Sequence, residues 1–187
     1  MLKLHFHKLK NIAAILLVAM FFSCGNELKE VQDFLAEKNL PIGEAKDVYL
    51  IHTDSGKVKT KLITPLMNDY SNRKRHPYTE FPDGLTIVTY DDKGDSVTLK
   101  ADYAITYTKT NISEAVNNVS VTNHAEHSIL FTDQLFWDSG VHYIYTEKKF
   151  TLITQTDTIN GKGLEAREDL SQVNMKSIYG TVYVKEN

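Results

Sequence analysis

The residue in this chain best placed to do chemistry is its only cysteine, Cys24. It follows Phe21-Phe22-Ser23 and precedes Gly25, so a small residue stands just before the thiol. That setting suits acylation, with Cys24 becoming a lipid-bearing N-terminus. Residues 12–22 are uncharged and apolar, and Lys3, Lys8 and Lys10 precede them. Eleven such residues are too few to span a bilayer, which needs about 20, but they suit the h-region of an export signal. The alternatives are an ordinary export signal, or a short apolar segment with an incidental cysteine. A single cysteine in an exported protein leaves no intrachain disulfide.

Other reactive constellations are weak. His124 and His127 flank Glu126 and could offer two imidazoles and a carboxylate to a metal. They fall between two strand-like runs with no third ligand at a telling spacing, so a polar turn is the expectation. Asp133 and Asp138 are too isolated for an acid–base pair and read as strand-end residues. There is no Gly-x-Ser-x-Gly elbow and no phosphate-cradling glycine loop. The reading is therefore of a protein without catalytic residues, metal or cofactor. Phe136 and Trp137 are adjacent, so on a strand they face opposite sides, one for the core and the other for a ligand or partner.

Charge narrows the partners. Removing residues 1–23 takes three lysines and no acid, so the net charge falls from −3 to −6 with histidine neutral. An acidic domain argues against nucleic acid. Arg73-Lys74-Arg75-His76 is a short basic cluster before Pro77 and reads as a solvated loop.

The elements that must position these residues are strands. Beyond a weakly helical stretch carrying Leu28, Val31, Phe34 and Leu35, the chain alternates β-branched and aromatic residues with polar ones. Strands are predicted at 48–53, 57–64, 85–90, 96–109, 116–122, 128–137, 143–146, 150–156, 159–166 and 178–184. Asp54-Ser55-Gly56 and Asp91-Asp92-Lys93-Gly94 read as hairpin turns. The expected layout is a signal at 1–23, a tether or short helix at 24–45, and one all-β antiparallel domain at 46–187.

A loose repeat runs through that domain. Val97 to Ala104 lies over Ser128 to Leu135, matching Leu99 to Leu130 and Asp102 to Asp133, and a third copy carries Leu164. A fourth begins at Tyr179. Stacked strand pairs of this kind bury a shared surface that no single pair could. Each strand has one apolar side, as along Val97, Leu99, Ala101 and Tyr103. In a closed sandwich these sides form the core, as in a structural or interaction protein of the envelope. In an open trough they line a groove for a lipid.

Several stretches then resemble a known family. They are Tyr-Thr-Glu-Phe-Pro-Asp-Gly-Leu-Thr-Ile at 78–87, Leu-Lys-Ala-Asp-Tyr-Ala at 99–104 and Glu-Ala-Val-Asn-Asn-Val-Ser-Val at 114–121. Leu-Phe-Thr-Asp-Gln-Leu-Phe-Trp-Asp at 130–138, Ile-Tyr-Thr-Glu at 144–147 and Ile-Asn-Gly-Lys-Gly-Leu at 159–164 follow in order. Together they resemble the LptC family, in a lipoprotein form. The pattern departs at Ala125, where a glycine is expected, and this bears on the turn type.

The resemblance implies an open β-jellyroll, a twisted boat of stacked strand pairs whose interior holds the acyl chains of lipopolysaccharide. It implies receipt of lipid from the permease subunits of an inner-membrane ABC transporter and delivery to a periplasmic LptA-like partner of the same fold. It also implies a periplasmic location, held to the inner membrane by the lipid on Cys24, and no catalysis. Matching strand faces turns Leu85, Ile87, Leu99, Ala101, Tyr103 and Val119 toward the interior. Val121, Leu130, Phe150, Leu152 and Leu164 join them. The terminal strand carrying Tyr179, Val182 and Val184 is the expected docking edge.

Overall fold

The computed structural model describes residues 39–179, so Cys24, the expected leader at 1–23, most of the expected tether, Val182 and Val184 lie outside the described residues. Eleven strands form one antiparallel sheet: β1 (Gly43–Asp54), β2 (Lys57–Tyr70), β3 (Tyr78–Phe81), β4 (Leu85–Tyr90), β5 (Ser96–Ala101) and β6 (Tyr103–Tyr107). They continue as β7 (Ile112–Asn123), β8 (Ser128–Asp138), β9 (Tyr143–Ile153), β10 (Thr158–Arg167) and β11 (Val173–Tyr179). The expected turns are present. Ser55 and Gly56 both have positive φ, 51° and 78°, as a two-residue hairpin needs. Asp91 Oδ1 accepts from the amides of Lys93 and Asp95, each at 2.9 Å.

The topology is simpler than eleven strands suggest. β4 pairs with β2 and β5, while β3 pairs with β2 and β6. Thus β3 with β4, and β5 with β6, are each one long strand bent in the middle. The whole sheet is then a meander creased along a line, with one leaf facing the other. This is the open jellyroll, all-β and antiparallel.

At the crease the inward alternation slips. Leu62 and Thr64 point inward on β2, and the next inward residue is Met67 rather than Leu66. On β8 the series runs Leu130, Thr132, Leu135, and on β10 Leu164 and Ala166 resume after a register shift between Lys162 and Leu164. β7 makes its slip between Val116 and Val119, where Asn117 and Asn118 take φ of 62° and 48°. Asparagine tolerates that left-handed conformation better than most residues. Each slip is a bulge that keeps apolar residues inside on both leaves.

Threonines repair the backbone that the slips disturb. Thr64, Thr132 and Thr146 are all buried along the crease. Thr64 Oγ1 donates to the Gly84 carbonyl at 2.7 Å and accepts from the Leu66 amide at 3.3 Å. Thr132 Oγ1 donates to the Lys149 carbonyl at 2.9 Å, and Thr146 Oγ1 accepts from the Lys148 amide at 3.0 Å. Thr64→Val keeps the shape and leaves the Gly84 carbonyl unpaired, so stability should fall by about 1–3 kcal/mol. A urea midpoint lowered at constant slope would show this; an unmoved midpoint would contradict it.

Several sequence-based expectations need correction. The strand expected at 96–109 breaks at Asp102, whose amide turns to the Asn117 carbonyl at 3.1 Å. The runs expected at 143–146 and 150–156 are one creased strand, β9. The short β3 was missed because Pro77 and Pro82 bracket it. β1 starts at Gly43, ahead of the expected boundary, and β2 continues through Pro65 to Tyr70. The turn at Ala125 needs no glycine: the left-handed residue there is His127, with φ 53°, and Asn123 Oδ1 accepts from the amides of Ala125 and Glu126.

Candidate functional site

One row of paired residues dominates the inner face. Leu50 pairs with Leu62, Leu62 with Ile87, Ile87 with Leu99, and Leu99 with Val121. The row continues from Val121 to Leu130, Leu152 and Ile159. Paired residues of an antiparallel sheet share a face, so eight strands present one continuous apolar ladder. Leu130 at its middle is 0% exposed, whereas Leu50 at the β1 edge is 46% exposed. The adjacent inner row, Phe150 to Gly161 to Ile178, ends at the other edge, where Ile178 is 53% exposed. Among the described residues β1 and β11 are the sheet edges, and the apolar face reaches open solvent at both.

The opposite leaf completes the groove. Phe81, Ala104, Ala115 and Leu135 form a second buried row. Where the leaves face each other, two narrow clefts remain. One, of about 30 Å³, lies among Ile87, Thr89, Val97, Leu99, Val121, Trp137, Ile144 and Glu168. The second, of about 20 Å³, runs from Leu85, Ile87 and Leu99 across to Ala104, Thr106, Leu135 and Trp137. Each has room for about one water molecule. An acyl chain could enter only if the leaves part.

The expected inward residues are mostly brought together. Leu85, Ala101, Val119, Val121, Leu130, Phe150, Leu152 and Leu164 are buried, and the partly exposed Ile87 and Leu99 line both clefts. Tyr103 is the exception. After the break at Asp102, Ala104 and Thr106 point inward, which leaves Tyr103 on the outer face. Its hydroxyl donates to Glu80 at 2.8 Å. Partial burial, with that carboxylate beside it, pushes the phenol well above its ordinary range. Tyr179, half-exposed on the outer side of β11, does lie on an edge strand.

Sequence reasoning missed Leu50 and Leu62, although both alternate correctly within predicted strands. It also left the side of Trp137 open. Trp137 lines both clefts, and its indole N–H donates to Glu168 at 2.8 Å, while Phe136 stacks on Tyr145 outside. The repeat has a physical meaning: Leu99 and Leu130 both flank Val121 in the ladder, and Asp102 and Asp133 sit at the crease. The copy at Leu164 is out of phase, because its crease precedes the leucine.

The histidine pair makes local hydrogen bonds. His124 Nε2 lies 2.8 Å from Thr98 Oγ1, and His127 Nδ1 lies 3.1 Å from the Ala125 carbonyl. Among the described residues no three His, Cys, Asp or Glu side chains gather as a metal site. No helix among them is long and apolar enough to cross a membrane. Comparison with known families matches residues 13–184 to the model described as lipopolysaccharide-assembly, LptC-related. Comparison with curated proteins finds no match.

Proposed function

This chain belongs to the LptC family, whose role is in lipopolysaccharide transport, and from that we propose that its creased sheet is a bridge segment for the lipid's acyl chains. The observation that carries the reading is the inner ladder from buried Leu130 to exposed Leu50. A closed core has no need of an apolar face that runs out to both edges of the sheet. Unpaired edge strands are templates for strand addition. β1 would join the permease side of the inner-membrane ABC transporter, and β11 a periplasmic LptA-like partner, extending one groove across both junctions. The chain works without catalysis, in the periplasm, and a lipid on Cys24 keeps it at the inner membrane.

A photo-crosslinking residue at Leu62, Ile87 or Leu99 should capture lipopolysaccharide in cells. The same residue at Lys100 or Thr86, on the outer face, should not. Capture from the outer positions alone would refute the groove.

The narrowness of the two clefts favours a second reading, a closed sandwich that binds a protein or glycan at the envelope. It predicts no lipid capture from any inward position. Docking can be read separately. Ile178→Lys places a charge on the β11 edge and should weaken partner binding at least tenfold, about 1.4 kcal/mol, with the fold intact. Unchanged co-purification of a periplasmic partner would argue against β11 as the docking edge.

A further inference from the structure

The turn between β10 and β11, residues 168–172, lies across the rim of the groove and is tied to both leaves. On one side, Asn123 at the end of β7 donates through Nδ2 to the Asp169 carbonyl at 2.7 Å. On the other, Trp137 near the end of β8 donates to Glu168 Oε2 at 2.8 Å. His142 Nδ1 stands 2.9 Å from Glu168 Oε1, and the Glu168 amide donates to the His142 carbonyl at 3.1 Å. From the middle of this turn Leu170, with φ 59°, packs into the main core cluster. Asn123 belongs to the leaf of Leu99 and Val121, and Trp137 to the facing leaf. One short turn therefore staples the leaves at their rim.

We infer that residues 168–172 form a strap that sets the separation of the two leaves and must release for an acyl chain to enter. This rests on the groove reading above. Trp137 lines both clefts and Glu168 lines the larger one, so the strap's tie stands where a chain would have to pass. The two ends of the groove also differ in what opening would cost. At the crease, parting would strand the buried Thr64, Thr132 and Thr146 partners away from water. At the rim, the bond that crosses the leaves is that of Asn123 to the Asp169 carbonyl, and the Asp169 side chain is 43% exposed, so water can reach that carbonyl as the strap lifts.

The test uses the full chain and a dansyl-labelled undecanoic acid, whose emission rises in apolar surroundings. Asn123→Asp keeps the acceptor for the Ala125 and Glu126 amides and removes the donor that reaches the Asp169 carbonyl on the strap; Asn123→Ala removes both. Both delete the same tie, so both should bind the probe about tenfold more tightly, equivalent to ~1.4 kcal/mol. Trp137 is the only tryptophan in the chain, so wild-type indole emission should change when unlabelled dodecanoic acid binds. In the wild type, dodecanoic acid should also quicken hydrogen exchange at the Glu168 and Leu170 amides, a measurement that needs no variant and decides the matter if a variant fails to fold. Wild-type binding with unchanged exchange at the Glu168 and Leu170 amides, or variants with wild-type affinity, would overturn the strap alone. No binding by the folded wild type would overturn the groove and the strap with it.

Discussion

Leu130→Ala is expected to destabilise the domain by about 2–5 kcal/mol, lowering the melting temperature by about 10 °C in a chain of this size. Leu130 is 0% exposed, with Val121 on one side of its row and Leu152 on the other. Both neighbours are themselves buried and sit in packed strands, so the vacated volume cannot collapse cheaply. Ile87→Ala, on the same face but partly exposed, should cost clearly less. Thermal melts of the two variants side by side provide the check. A Leu130→Ala melt within 2 °C of wild type would mean that the interior is loosely packed at the ladder's centre. On the proposed groove reading, the contrast would separate a buried wall, β7–β10, from a more accessible one, β1, β2, β4 and β5.

Gly161→Ala should loosen β11 from the sheet. A Cβ at this position would stand 2.4 Å from the Phe150 ring and 2.4 Å from the Ser177 carbonyl. Phe150 is core and its ring lies over the glycine, so it has nowhere to go. The carbonyl belongs to β11, which among the described residues pairs with β10 alone. Overpacking of this kind costs about 1–3 kcal/mol, and the strain is relieved most easily by peeling the edge. Hydrogen exchange should show amides of β11 losing protection while those of β8 keep theirs. Uniform loss across the sheet would show instead that the ring shifts inward and the whole core yields. If β11 is the docking edge, partner binding should fall with its protection.

Much of this was legible in the sequence, because strand formation and apolar alternation are local. Residues two apart share a face wherever the strand runs true, so Leu85 with Ile87, Val119 with Val121 and Phe150 with Leu152 could be assigned from the pattern. The order of motifs between residues 78 and 164 pointed to the family, and hence to the jellyroll. The crease was not legible. Each slip in alternation depends on a bulge whose position is set by the paired strand, and a slip of one residue reverses every side chain beyond it. That is why Tyr103 was placed inside although Ala104 takes that side, and why the buried threonines looked like ordinary strand residues. The contact between Asn123 and Asp169 was hidden for the same reason: the two are 46 residues apart and meet only because the sheet folds over, whereas Trp137, His142 and Glu168 are neighbours at the ends of paired strands. Cys24 remains a reading of the sequence, resting on the local chemistry of a small residue, an apolar run and a thiol. Which apolar faces stay open was decided by tertiary structure, because exposure depends on which strands lack a neighbour, and that is a property of the finished sheet.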